Sequence, residues 1–251
     1  MTILLTGGTG TLGSRVTPLL LDAGAKLRIL SRTAREPGDG IEFVTGDLVQ
    51  NKGIEAAVDG VEVIAHLAGG QRGDDVATRN LVAAAKRAGV RHIVYISVTG
   101  ADRVPLKWLR TKLDSEHAIR ESGIAWTILR AAQFDELTVD MMRRLAKLPV
   151  VPVLSGLRLQ PVDARDVAER LVELISAAPA GRVPDLVGPQ VYPMADLARS
   201  YLHAVGRRRP MLPVRIPGKA GRAYRAGANL SLDGADVGTR TWAAFLTERE
   251  R

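Results

Sequence analysis

Residues 4–16 read LLTGGTGTLGSRV: an apolar run, then Gly7, Gly10 and Gly13 three residues apart, then a second apolar stretch. Glycine spacing alone says little. Here it follows TILLTG (2–7), a run suited to a strand buried on both faces, and opens a stretch with helical apolar spacing at Val16, Leu19 and Leu20. A strand–turn–helix corner of this kind is a phosphate cradle. Gly7 permits the tight turn, Gly10 removes a side chain where a diphosphate must approach the backbone, and Gly13 lets helix and strand pack closely. Amides at the helix start face the anion, and Thr9 and Thr11 add hydroxyl donors. The binding set at this corner is Gly7, Thr9, Gly10, Thr11, Leu12 and Gly13.

Outward from the corner the chain alternates. KLRILSR (26–32), IEFVTGD (41–47), VEVIAHLAGG (61–70), RHIVYISV (91–98) and AWTILRAAQ (125–133) read as strands. KGIEAAVDG (52–60), ATRNLVAAAKRAGV (77–90) and KWLRTKLDSEHAIRESG (107–123) read as helices. Such alternation predicts right-handed βαβ crossovers and a parallel sheet, an α/β, doubly wound Rossmann-type fold. Later stretches are looser: MMRRLAKLPVVPV (141–153) as helix then extended chain, ARDVAERLVELISA (164–177) as an amphipathic helix, GRVPDLVGP (181–189) as a returning strand, and MADLARSYLHAVG (194–206) and TWAAFLTERE (241–250) as helices. The expected organisation is one domain over 1–251, with a core at 1–133 and returning elements at 158–188. Residues 134–157 and 189–251 are expected to form a small C-terminal substrate cap at the carboxyl edge of the sheet, where open α/β sheets bind ligands.

Composition narrows the function. With 46% hydrophobic and 25% charged residues the chain reads as soluble and globular. No apolar stretch approaches the ~20 residues a membrane span requires, so no membrane partner is expected. The opening MTILL lacks a basic region and a cleavage pattern, which predicts a cytoplasmic protein. Without cysteine there is no disulfide, thiolate site or cysteine nucleophile. His66, His92, His117 and His203 lie far apart without acidic companions at ligand spacing, so no metal is expected. A Gly-x-Ser-x-Gly elbow and the Gly-Lys-Ser/Thr ending of a triphosphate loop are both missing. The net charge of +8 is unevenly placed: Arg199 to Arg225 holds eight Lys or Arg and no acid. This segment reads as a solvated surface able to draw in anionic ligands, nucleic acid or an acidic membrane surface. Aromatic residues, 4% of the chain, do not interleave with it, so nucleic acid is not an expected partner.

The end of the second strand selects the nucleotide. A site for NAD places an acid ~20 residues after the glycines to hold the ribose 2′-hydroxyl. Here ILSRTAR (29–35) offers Ser31 and Arg32, with Arg35 nearby and the first carboxylate at Glu36. Arginine pairs with a 2′-phosphate through charge-assisted hydrogen bonds. The expected cofactor is NADP(H), with NAD(H) as the lesser ligand.

TGGTGTLG (6–13), GDL (46–48), HLAGG (66–70), YISVTGAD (95–102), KLDSE (112–116), SGIAWTILRAAQF (122–134) and PVDARDVAE (161–169) together resemble the short-chain dehydrogenase/reductase superfamily, and within it the atypical NmrA-like, NAD(P)-binding branch. The resemblance implies that Asp47 and Leu48 border the adenine and that Leu67, Ala68 and Gly69 line the cofactor cleft. It implies Ser97 and Val98 beside the nicotinamide half, and Gln133 and Phe134 between nicotinamide and substrate. PVDARDVAE is implied to fasten the cap, leaving Asp163 and Asp166 structural. Read without the family, Asp47 is also compatible with a plain turn.

The superfamily's acid/base is a tyrosine four residues before a lysine. Lys112 is present, but the position four before it is Trp108. Residues i and i+4 share a helix face, and an indole N–H cannot exchange a proton at neutral pH. Tyr95 lies on a different element. Three outcomes follow. Lys112 itself acts, its pKa lowered by burial and a positive neighbour. Alternatively, hydride passes to an acceptor needing little proton help, such as a quinone or a conjugated dye. In the third, nothing turns over and the chain is a redox-sensing NADP(H)-binding regulator. The family pattern gives Lys112 a ribose contact, whereas helix spacing alone would pair it with Glu116 on a solvated face. Thr99 sits near the standard serine and is a candidate hydrogen-bonding partner for substrate. The leading expectation is an NADP(H)-dependent oxidoreductase acting on a small apolar or conjugated molecule, with PGKAGRAYRAGANL (217–230) as part of the pocket wall and a homodimer built through sheet-flanking helices.

Overall fold

The structure is a computed structural model that describes residues 1–38, 40–70 and 73–249. In chain order its first elements are β1 (Thr2–Thr6), α1 (Gly13–Asp22), β2 (Lys26–Ser31), β3 (Ile41–Thr45), α2 (Ile54–Val58), β4 (Val63–His66), α3 (Asp74–Arg87), β5 (His92–Val98), α4 (Lys107–Arg120) and β6 (Ala125–Ala131). Next come α5 (Asp135–Leu145), β7 (Val151–Leu154), β8 (Arg158–Leu159), α6 (Ala164–Ser176), β9 (Gly181–Arg182) and β10 (Leu186–Val187). The chain closes with β11 (Tyr192–Pro193), α7 (Met194–Ala204), β12 (Met211–Val214), α8 (Gly218–Arg225), β13 (Asp236–Val237) and α9 (Trp242–Arg249). These fall into two compact units: Met1–Ser97 with Arg110–Leu129 and Ala168–Val183, and Val98–Leu109 with Arg130–Val167 and Pro184–Arg251.

The first unit is the doubly wound sheet that the strand–helix alternation predicts. Its strands run in the order β3-β2-β1-β4-β5-β6, with β9 beside β6. β1 pairs in parallel with β2 (Leu4↔Arg28) and with β4 (Leu4↔Ile64), so the winding direction reverses next to β1. The glycine corner leaves the carboxyl end of β1 at that switch point, where sheets of this kind bind ligands. Strands buried on both faces are near-continuous apolar runs, as Ile3, Leu4 and Leu5 illustrate. One core face gathers Leu4, Ile64, Ile93 and Tyr95 of the sheet with Leu81 and Ala84 of α3 and Ile119 of α4.

Two helices begin earlier than apolar spacing suggests. α3 starts at Asp74, directly after Gly73 in the left-handed region (φ 80°), and α5 starts at Asp135. Each opens with two acids, favourable at the positive end of a helix dipole.

The second unit holds a separate apolar cluster around Val139, Met142, Val151, Leu197, Tyr201 and Trp242. In it Leu186 of β10 pairs in parallel with Ala131 and with Asp236 of β13. Between the helices expected at 194–206 and 241–250 the structure contains β12 and α8. β12 exists because β7, some sixty residues earlier, supplies its hydrogen-bonding partner.

Candidate cofactor site

The glycine corner is built for close approach. Gly7 has φ +71°, and a Cβ there would lie 2.7 Å from the backbone nitrogen of Ala68. A Cβ on Gly13 would lie 2.2 Å from the Gly7 oxygen and 2.5 Å from Gly8 Cα. Gly10 differs: its Cβ would meet only the Gly7 oxygen, at 3.3 Å, leaving its outer side clear of protein. Gly8, Leu12 and Gly13 pack inward while Thr9, Gly10 and Thr11 are exposed. Gly10 N–H is used by Gly7 O (3.0 Å), but among the described residues no acceptor faces the N–H groups of Thr11 and Leu12. α1 has no side-chain cap and no acid in its first turn. Amides without an acceptor among the described residues at an uncapped helix start, with the dipole behind them, fit a diphosphate.

At the end of β2, Ser31 is buried and its hydroxyl donates to Thr33 O (2.8 Å). Arg32 is exposed and makes no ion pair among the described residues. Asp47 closes a turn, accepting Gln50 N–H (2.9 Å) and exchanging backbone bonds with Lys52; buried Leu48 offers its carbonyl to Asn80 (2.7 Å). Leu67 is buried, and Ala68 lies against Gly7.

Sequence reasoning missed a buried polar network beneath this surface. Thr78 Oγ1 donates to Asp74 O (2.7 Å), so it accepts from His66 Nε2 (3.0 Å). Thr6 Oγ1 in turn donates to His66 Nδ1 (2.7 Å) and accepts Ala68 N–H (3.2 Å). Each ring nitrogen has one role, which defines a neutral imidazole protonated on Nε2. Burial, with the nearby Lys112 charge adding, pulls the His66 pKa down to about 3. The chain from Ala68 through Thr6, His66 and Thr78 to Asp74 ties the loop after β4 to the start of α3.

Lys112 is 8% exposed, and its Nζ pairs with Asp74 Oδ2 at 2.8 Å. Asp74 Oδ1 accepts Gly70 N–H (2.7 Å), and Nζ lies 5.6 Å from the centre of the Tyr95 ring. A Cβ on Gly69 would lie 2.7 Å from Nζ, so Gly69 makes room for the ammonium. Two expectations are corrected. Glu116 is not the partner of Lys112 on a solvated face; it is buried and accepts a hydrogen bond from Ser97 Oγ. Nor is the Lys112 pKa lowered. Burial disfavours its charge, but the Tyr95 oxygen and the Asp74 carboxylate outweigh it, and the pKa is raised. The neighbour that matters is an anion rather than the expected cation. Asp74 was findable in the sequence, as an acid following a glycine at a helix start.

Trp108 is 39% exposed, whereas Lys112, one turn later, is buried; the buried stripe of α4 runs through Leu109, Lys112, Glu116 and Ile119 instead. In the second unit, Val98 is half-buried and Thr99 is buried, with N–H to Ala131 O (3.0 Å) and a hydroxyl without a hydrogen-bond partner among the described residues. Gln133 Nε2 donates to Thr138 Oγ1 (3.1 Å). In PVDARDVAE, Asp163 is held by the Arg165 guanidinium (2.6 Å), and Asp166 accepts Thr239 N–H (2.9 Å) and Arg240 N–H (3.1 Å).

Asp135 beside them is fully buried, and neither of its carboxyl oxygens has a hydrogen bond among the described residues. Burial first, then Asp163, Glu136 and Asp166, push its pKa from 3.8 up to about 7. The unfolded chain therefore loses this proton first, and stability falls as pH rises from about 4 to about 7, then levels. Asp135→Asn is expected to leave urea stability unchanged at pH 4 and to raise it at pH 8 by about 1–2 kcal/mol, less than the full shift because water and side chains relax around an ionised carboxylate. Equal stability of the two proteins at pH 8 would refute the assignment.

With the geometry in place, the comparisons decide the family. The family described as NAD(P)H-binding matches residues 7–178, from the glycine corner past β6 and through α6. The chain belongs to the NAD(P)H-binding family. Among its relatives are the NAD(P)H azoreductase of Xenophilus azovorans, 31% identical over 218 residues (82% of this chain, 74% of the relative), and the (4-alkanoyl-5-oxo-2,5-dihydrofuran-3-yl)methyl phosphate reductase of Streptomyces griseus, 30% identical over 212 residues with the same shares covered. Among solved structures, the NADPH-dependent quinone oxidoreductase of Escherichia coli in complex with NADPH has a TM-score of 0.83 at 22% identity, covering 99% of this chain and 100% of that one. The NAD(P)-binding Rossmann-type fold and the likeness to the atypical short-chain branch stand.

Proposed function

We propose that the chain is an NADP(H)-dependent oxidoreductase of the atypical short-chain type, passing hydride to a small apolar or conjugated acceptor such as a quinone or azo compound, with NAD(H) the weaker cofactor. The observation that carries the reading is the uncapped corner at Gly7–Gly13 together with an exposed Arg32, and no acid, at the end of β2. The named reductases among the relatives support it.

The bound dinucleotide supplies the hydride. The chain's residues bind and orient. N–H groups of Thr11 and Leu12 hold the diphosphate, Ser31 and Arg32 the 2′-phosphate, and Asp47 and Leu48 the adenosine end. Leu67, Ala68 and Gly69 form the floor, shaped by the network beneath, and Ser97 is fixed by Glu116. Lys112 keeps its proton at neutral pH in its pair with Asp74, so it acts as a fixed positive charge rather than as an acid. The Trp108 indole N–H donates a hydrogen bond but does not ionise near neutral pH, so it cannot serve as the acid. An acceptor that is reduced without protein-delivered protons suits this inventory, and the buried Thr99 hydroxyl is the remaining candidate donor to substrate.

Arg32→Ala is expected to weaken NADPH about tenfold or more while NADH is unchanged, the loss of one charge-assisted contact to phosphate. Calorimetry with both dinucleotides reads this; an unmoved preference would refute the 2′-phosphate assignment. NADPH oxidation across quinones, azo dyes, enals and aldehydes tests the reaction class. Tight NADPH binding with silence across the panel would favour the second reading, a non-catalytic redox-sensing regulator, which the locked state of Lys112 also accommodates.

A further inference from the structure

The second unit carries an apolar face that the cofactor reading leaves unused. β7 and β12 pair in parallel, with Met211↔Val151, Leu212↔Pro152, Pro213↔Val153 and Val214↔Leu154 in register. Side chains alternate along a strand, and paired residues point to the same side. Val151 and Val153 are buried in the second unit's core, with Met211 packed against it. Pro152 and Leu212 therefore share the opposite face, with Val150 one alternation earlier and Val214 at its far end, while half-buried Leu154 packs against the core. Leu212 is 56% exposed, Val150 41% and Val214 37%.

Cations frame this face. Residues 141–162 hold four Lys or Arg and residues 197–232 hold eight, and neither stretch contains an Asp or Glu. The β7–β12 pairing sets the two acid-free stretches side by side. Lys147 precedes β7, Arg207, Arg208 and Arg209 lead into β12, and Arg215 leaves it; all five are exposed, and none makes an ion pair among the described residues.

The charge and the aliphatics together select the occupant. A second copy laid face to face would set arginine against arginine. Nucleic acid would take the arginines, but residues 147–158 and 205–217 contain no aromatic side chain on which bases could stack. An anionic bilayer satisfies both features, since aliphatic side chains enter the headgroup boundary while Lys and Arg meet lipid phosphates. The geometry points to the β7–β12 ribbon as a docking surface for an anionic lipid bilayer. No helix among the described residues is long and apolar enough to cross a membrane, so the contact lies in the headgroup plane.

Vesicle flotation of the full chain tests this. At physiological salt the protein is expected to float with phosphatidylcholine vesicles containing phosphatidylglycerol, not with phosphatidylcholine alone, and to be released by high salt. Leu212→Glu with Val214→Glu should weaken partition about tenfold or more, with thermal melting and NADPH affinity unchanged. Replacing Arg207, Arg208 and Arg209 together by Ser should do the same. Failure to float overturns the proposal, as does flotation indifferent to the two glutamates, which would be unspecific charge adhesion. So does a dimer in light scattering that Leu212→Glu dissolves, or tighter binding to duplex DNA than to the vesicles.

Discussion

Gly13→Ala is expected to abolish tight NADPH binding, raising Kd about a hundredfold, and to lower Tm measurably. The added methyl would sit 2.2 Å from the Gly7 oxygen and 2.5 Å from Gly8 Cα, both backbone atoms that no rotamer change can move. Overpacking of this kind costs about 1–3 kcal/mol. The cost falls on the one corner whose amides must keep their aim, so affinity and stability drop together. Gly10→Ala separates the two effects. Its methyl meets protein only at 3.3 Å, so the fold should melt near the parent temperature. The same methyl stands on the exposed side where a diphosphate would approach, and binding should still fall. Calorimetry and thermal melting on both variants decide the matter. Normal NADPH affinity in Gly10→Ala would remove the diphosphate from this corner, and the proposed function with it.

The second large effect concerns the buried ion pair. Lys112→Met should destabilise the protein by about 3 kcal/mol or more, because it leaves the Asp74 carboxylate buried without its cation. Asp74→Leu should be similarly costly, leaving the ammonium over Tyr95 with no anion opposite. Replacing both, Lys112→Met with Asp74→Leu, should recover most of the loss, since a buried pair is worth little against apolar residues of like volume. Urea unfolding of the three variants reads this as a double-mutant cycle. Additive losses would show that the two groups do not act as a pair. Loop geometry enters as well: Asp74 Oδ1 holds Gly70 N–H, so Asp74→Leu should also loosen Leu67–Gly70 and weaken NADPH. Stability and affinity therefore need separate measurement.

The pair also bears on chemistry. A lysine that works as an acid near neutral pH needs its charge disfavoured, by burial or by another cation. Here burial is present, but a carboxylate answers it. One acid placed at the start of α3 turns a candidate proton donor into a fixed charge.

The glycine corner, the strand–helix alternation and the order of elements through β6 were legible from the amino-acid sequence because each rests on local chemistry. Apolar runs and their period, a glycine's lack of Cβ and the missing acid after β2 are properties of neighbouring residues. The early start of α5 and the strand at β12 were not legible. Helix starts without a capping side chain leave a weak trace, and β12 depends on hydrogen bonds from a strand distant in the chain.

The sequence by itself therefore determined the class of fold and the strand–glycine–helix corner that is proposed to hold a dinucleotide's phosphates. Only the tertiary structure decided what Lys112 faces, how His66 is protonated and which aliphatics stand beside the arginines. Those are set by which side chains the sheet and helices bring within a few ångströms of one another, and electrostatics at that range depends on the partner rather than on the residue.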